Sequence, residues 1–298
     1  MSYRIVASRC PNAFRSLILA IPLQSAISAA HADPSVSVYD RSFMSNWQRN
    51  VATTQDEQPH WESLLGMASP RLTQGFRYNY ARQYSNNGSV LENYGMGKGL
   101  DLITDQNFEI QIGVPAYLDK QSHGSESRGW ADEALLGRYR LVSANEEEGN
   151  YIVSGSLGIS VPTGSRQFSV RRTVFMPTLA GGKGWGTRFQ GFSIQSSISA
   201  SVPDGNLSGI GMPMAWSAAF QAHSFRYVWP EIEAAYTHWY KGAYDGKNQL
   251  ILTYGLVFGR FEIEGRRKLT LGIGYQEPVG THFSIYTREW ISMLKLSF

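Results

Sequence analysis

The chain has 298 residues, of which 13% are aromatic and only 17% charged, with 30 glycines, and its mean hydropathy is -0.27. Beyond the N-terminal segment no apolar run approaches the roughly 20 residues that a membrane-spanning helix needs, so a helical membrane protein is excluded. The sequence pI of 8.9 suggests a basic protein, but the first 32 residues hold three of the 27 Lys and Arg and none of the 24 Asp and Glu; without them the chain is neutral, and a nucleic-acid binder loses its electrostatic support.

At the N-terminus, Arg4, Arg9 and Arg15 precede the apolar run from Ser16 to Leu23, and small residues extend from there as far as Ala30-His31-Ala32. This order predicts a secretory signal peptide over residues 1–32, cleaved before Asp33. Cys10, the single cysteine, lies upstream of the apolar run and goes with it. Residues 33–70, which include Trp47, Pro59 and Trp61, lack the rhythm of the remainder of the chain. They are expected to form an N-terminal periplasmic extension, whether a short helix, a tail, or a plug folded into a barrel mouth.

From about Leu72 onward apolar and polar side chains alternate with period two, the pattern of a strand with two different faces. Phe76, Tyr78 and Tyr80 alternate with Arg77 and Asn79, and Phe108, Ile110, Ile112 and Val114 with Glu109 and Gln111. Ile194 and Ile198 stand opposite Gln195, Ser197 and Ser199; Leu250 to Phe258 and Leu269 to Tyr275 repeat the texture. The non-apolar face is mainly Gly, Ser, Thr and Gln with scattered charges, as in a crowded barrel interior. Links such as 104–107, 183–187 and 263–267 are read as short and 119–129, 203–211, 240–248 and 277–286 as long. The fold class is therefore all-β: an antiparallel transmembrane β-barrel of about twelve strands over residues 71–298, both termini on the periplasmic side. Trp290 to Phe298, alternating and ending on an aromatic, is its closing strand, expected to pair with the first strand near Leu72 to Tyr84. Trp130, Trp185, Trp216, Trp229, Trp239 and Trp290 are read as interface anchors, and the Gly95–Gly99 and Gly181–Gly184 clusters as flexible strand ends and turns.

Three stretches, Gly129-Trp130-Ala131-Asp132, Leu135 to Leu141 with Arg138-Tyr139-Arg140, and Leu157 to Gly164 ending in Pro162-Thr163-Gly164, resemble the MetA-pathway of phenol degradation family of outer-membrane barrels. In that family a Gly-Asp motif leads into a Lys/Arg-Tyr-Arg strand and Pro-Thr-Gly closes the next; here Trp130-Ala131 is inserted into the first motif. The resemblance implies a barrel and, in some members, uptake of hydrocarbons or aromatics.

By the same alternation Arg77, Glu109, Gln111, Asp132, Arg138, Arg140, Glu231, Glu233, Glu289 and Lys295 are candidate lumen-lining residues, serving as an interior ion-pair network or as a constriction that selects by charge. No Gly-x-Ser-x-Gly or His-Glu-x-x-His motif exists, and His60, His123, His223, His238 and His282 are dispersed. No catalytic, cofactor or metal residue is expected, so the chain reads as a non-enzyme without cofactors. The leading expectation is a passive channel in the bacterial outer membrane for small solutes, hydrophobic or aromatic ones included. A closed structural or surface-interaction barrel is the alternative, and a lipid-modifying enzyme using His223 or His282 a further one. Expected partners are outer-membrane lipid, the barrel-assembly machinery during insertion and a small-molecule solute, with no nucleic acid.

Overall fold

The computed structural model describes residues 38–224, 226–280 and 283–298, the first five by their backbone alone. Ser42–Phe298 forms one compact unit. The expected signal peptide, with Cys10, and His282 lie outside the described residues. Helix α1 covers Val38–Asp56, and no described helix is long and apolar enough to cross a membrane.

Twelve antiparallel strands come after it. β1 is Gly75–Tyr84; β2, β3 and β4 each run in two segments, Val90–Gly95 and Gly99–Asp105, Phe108–Gly113 and Tyr117–Ser122, Ser125–Trp130 and Glu133–Ala144. β5 is Tyr151–Val161, β6 Val174–Gly186, β7 Gly191–Ala200, β8 Met212–His223, β9 Val228–Tyr240, β10 Asn248–Glu264, β11 Arg267–Pro278 and β12 Arg288–Ser297. Each strand pairs with the next in sequence, and β12 returns to β1 in unbroken register from Gly75↔Ser297 to Tyr84↔Arg288, which closes the barrel. Closure leaves no sheet edge with open hydrogen-bonding groups. The three split strands break side by side. In β2 the break falls at Gly95, Met96 and Gly97, all with positive φ, so that β1 pairs with the outer segment along most of its length and with the inner one only at Gly75 and Phe76.

Turns 106–107, 145–150, 187–190, 224–227 and 265–266 lie at the end that carries the strand termini Gly75 and Ser297, here the near end. Connections 85–89, 123–124, 162–173, 201–211, 241–247 and 279–287 lie at the far end. The expected alternation of short and long links holds with one correction. The stretch 119–129 is not a loop: β3 and β4 continue through it as a hairpin turning at His123-Gly124, because Asp119, Arg128 and the residues between pair strand to strand.

Alternation along each strand sends large apolar side chains outward. Ile110, Leu135, Tyr139, Leu141, Ile194, Ile198, Leu271, Ile273 and Leu294 are all exposed, whereas the intervening residues are buried or half-buried. Aromatic rings border this belt at both ends. At the far end Tyr80, Tyr94, Tyr117 and Trp130 form a chain with centroids 5.1, 6.3 and 5.1 Å apart. At the near end Trp185, Phe192 and Phe220 stack at 5.1 and 5.6 Å. Trp229 and Trp239 are exceptions to the expected anchoring role: they share strand parity with Glu231 and Glu233 and point inward, 1% and 8% exposed. Gly181–Gly184 lies within β6 toward its near end, the turn itself following at 187–190.

Candidate channel lumen and the segment inside it

Residues 57–74, between α1 and β1, lie within the barrel. Gln58 closes this excursion at its base, donating to the Leu72 carbonyl at 2.8 Å and accepting from the Leu72 amide at 3.0 Å. The helix leading in is fastened to the near end. Trp47 Nε1 donates to Ile103 O at 2.6 Å and Thr54 Oγ1 to Gln106 O at 2.9 Å, and Arg140 reaches both Thr54 O (3.0 Å) and Glu57 Oε2 (2.7 Å).

Further in, the segment crosses from β6 to β11, and the wall is shaped to it. Trp61 lies over Gly182 and Gly184, where an added Cβ would come within 2.8 and 2.6 Å of its ring, and its Nε1 donates to Asn150 Oδ1 at 2.9 Å. Leu64 and Met67 pack on Ala219 of β8. Leu65 occupies a socket floored by Gly255, Gly272 and Gly274, where a Cβ would meet its methyl groups at 2.6 to 2.8 Å; Trp229, Val257, Ile291 and Met293 complete the walls. Small wall residues thus stand where the segment is bulky.

Charge is matched in the same way. Glu62, almost wholly buried, is held between Lys295 Nζ and Arg260 Nε, each at 3.0 Å. Lys295 also donates to Ser63 Oγ at 2.7 Å and Arg260 to Trp61 O at 2.9 Å. Arg77 donates to the carbonyls of Leu64 and Leu65 at 2.9 and 3.0 Å. Glu231 accepts from the Leu65 amide at 2.9 Å, and Glu233 from those of Gly66 and Met67 at 3.0 and 2.7 Å. Glu109 pairs with Arg138 at 2.7 Å and accepts from the Thr73 amide, while Arg138 also reaches Arg71 O at 3.0 Å. Buried polar groups on both sides are thereby largely satisfied.

Eight of the ten sequence-derived candidates, Arg77, Glu109, Arg138, Arg140, Glu231, Glu233, Glu289 and Lys295, are buried and inward-facing. Glu289 stands apart from the segment and is bonded to Gln83. Gln111 is half-buried and donates to Asp101 at 2.7 Å. Asp132 does not meet the arginines of its strand. It sits in the break of β4 and accepts from the Gly164 and Val170 amides at 2.9 and 3.0 Å, anchoring the 162–173 loop that Pro162-Thr163-Gly164 opens. Glu62, Arg71 and Asp101 were not among the candidates, nor was Arg260, which sits at a bulge in β10 and has φ 57°. A bulge resets the alternation, so parity counted along β10 sends Arg260 outward.

Histidines near the segment are engaged. His60 bonds to Glu146 through its Nδ1 at 2.7 Å and its amide at 2.6 Å. Desolvation pushes the His60 pKa down; it pushes Glu146 up, but the His60 ring and main-chain donors outweigh this and hold the carboxyl at about 2. His223 stacks on Trp229 with centroids 4.3 Å apart. Beyond the tip of the segment, toward the far end, inward-facing Ser156, Ser160, Thr178, Ser199, Ala215 and Thr237 are small and only half-buried. Among the described residues no group of three or more His, Cys, Asp or Glu is arranged to hold a metal ion.

No family model matches the chain, and no curated protein matches it. Among solved structures it is similar to an outer membrane channel from Pseudomonas putida F1, with 10% identity over 79% of this chain and 98% of that one and a TM-score of 0.48. It is also similar to the NanC porin, with 9% identity over 74% of this chain and 98% of that one and a TM-score of 0.46. At this distance the architecture rests on the strand pairing itself.

Proposed function

We propose that this protein is a bacterial outer-membrane channel for small solutes, its lumen held shut at the periplasmic end by residues 57–74 and opened when that segment yields. The inversion of the barrel supports the membrane setting: apolar side chains cover the outside between two aromatic girdles, while paired charges fill the inside. In water so broad an apolar surface would cost about 25 cal/mol for every Å² left exposed, whereas lipid accepts it. In this reading the near end faces the periplasm, the lipid of the outer membrane surrounds the belt, and the barrel-assembly machinery inserts the chain after its signal peptide is removed.

One observation carries the channel reading: in the occupied half of the lumen the space is taken by a separate, tethered segment that wall side chains hold by hydrogen bonds and ion pairs, and beyond its tip one side of the wall, from β5 to β9, is lined by small residues such as Ser156, Thr178, Ser199 and Thr237. Such a lumen becomes a passage by moving one loop. Transport is passive and not enzymatic in this reading. Hydrophobic or aromatic cargo, which the phenol-degradation resemblance implies, belongs to the same proposal.

Planar-bilayer recording tests it. Full-length protein is expected to give small or infrequent conductance steps, and a chain lacking residues 57–70 larger and sustained ones. Silence from both, in samples whose gel mobility changes on heating as a folded barrel's does, would make the molecule a closed structural barrel.

A further inference from the structure

The seat of Leu65 reads every part of an amino acid. Its amide meets Glu231 at 2.9 Å, its carbonyl meets Arg77 at 3.0 Å, and its side chain fills the socket over Gly255, Gly272 and Gly274. The next amide, of Gly66, meets Glu233 at 3.0 Å. Of the contacts in the seat, the one from Arg77 to the Leu64 carbonyl at 2.9 Å addresses the preceding residue of the chain.

Two further observations point to a ligand. Glu231 and Glu233 share a hydrogen bond with each other, and neither has a cation within ion-pair distance among the described residues; their other partners are the segment's amides and Gln221 Nε2. Asn79, strand-paired with the socket residue Met293, is 0% exposed yet leaves Nδ2 without an acceptor. A hydrogen-bonded carboxyl pair with no direct counter-ion is better matched to an ammonium than to neutral amides, and an idle amide donor suits a carboxylate oxygen.

We infer that this seat is a binding site for a zwitterion with a branched apolar side chain, an aliphatic L-amino acid or a short peptide that begins with one. The chain's own residues 64–66 occupy it as a tethered mimic. The ammonium of the solute lies against Glu231, its carboxylate or first carbonyl against Arg77, and its side chain in the socket; the second residue of a dipeptide reaches Glu233. This rests on the reading of the lumen as a solute path, and makes the segment a competitor that solute displaces.

Calorimetry on the full chain carrying Leu65→Asp, which puts a carboxylate into an apolar socket beside Glu231 and so vacates it, tests the site. Leucylglycine is expected to bind saturably and L-leucine more weakly. Glycylglycine, D-leucine and 4-methylpentanoate, which lack the side chain, the handedness and the amine, should each bind at least about tenfold weaker than the matched L-compound. Glu231→Gln or Arg77→Gln added to that background should weaken leucylglycine by a similar factor. Should Leu65→Asp not assemble, as judged by heat-dependent gel mobility, residues 62–67 replaced by glycine serve instead. Equal binding of leucylglycine and glycylglycine, or none of either, overturns the inference. Conductance without binding removes the site and leaves the channel; binding without conductance does the reverse.

Discussion

Glu62 ties three parts of the molecule together, since its carboxylate meets Lys295 of the last strand and Arg260 of the bulged one while its own amide donates to Gln221 of β8 at 3.1 Å. Replacing it with Gln strands buried Lys295 and half-buried Arg260, and a buried pair that loses one partner costs about 3 to 5 kcal/mol. Glu62→Gln is therefore expected to free the segment, seen as a rise in bilayer conductance and in protease cleavage within residues 57–74. At the rim of the segment, His60 and Glu146 set a pH response. Because burial lowers the pKa of His60, its contribution is full above the unfolded value near 6.5 and is lost as pH falls below it. Glu146, held at about 2, contributes above its ordinary value and loses that between about 4.5 and 2. Both act in one direction, so acidification from pH 7 to 4 should loosen the segment, as cleavage rates at the two pH values will report; Glu146→Gln should remove the part below about 4.5. Neither residue was legible as a site, because single charges in an arrhythmic stretch and in a turn carry no pattern. The wall charges were, because period two fixes their face.

Among elements, the glycine-rich strands β10 and β11 and the inner segment depend on one another. Gly272 is inward-facing, and a Cβ there would stand 2.6 Å from a Leu65 methyl. Gly272→Val should be at least as good a strand residue and still evict Leu65, so barrel formation by gel mobility is expected to be normal while conductance rises; unchanged conductance would mean that the socket does not hold the segment. The strands could be read from sequence because their two faces differ in polarity at every second residue. Parity within β9 also contained the orientation of Trp229 and Trp239, since both share the face of Glu231 and Glu233; the usual role of tryptophan at membrane rims obscured it. The segment itself was open to several readings because its anchoring uses main-chain amides and carbonyls, which every sequence possesses, against wall residues as distant as Arg260, 200 positions from the His60 carbonyl it meets.

At the scale of the whole molecule, closure joins β1 to β12 along ten residues, and Phe298 adds a bond from its amide to Gln74 O at 3.3 Å. Deleting Phe298 is expected to lower the yield of inserted, heat-modifiable barrel much more than it alters conductance per molecule. Barrel, strand number and the pairing of first strand with last came from alternation and from the length needed to cross a bilayer; the breaks in β2 to β4 did not, because they lie in continuous hairpins. Lys295 is made well after its partner Glu62, which lies 233 positions earlier. The seam between β12 and β1 thus lies beside an ion pair that joins the last strand to the segment leading into the first. On the proposed reading the segment that closes the lumen also acts in assembly, as a former around which the wall is drawn shut; a chain deprived of it is then expected to conduct freely and yet to form heat-modifiable barrel slowly.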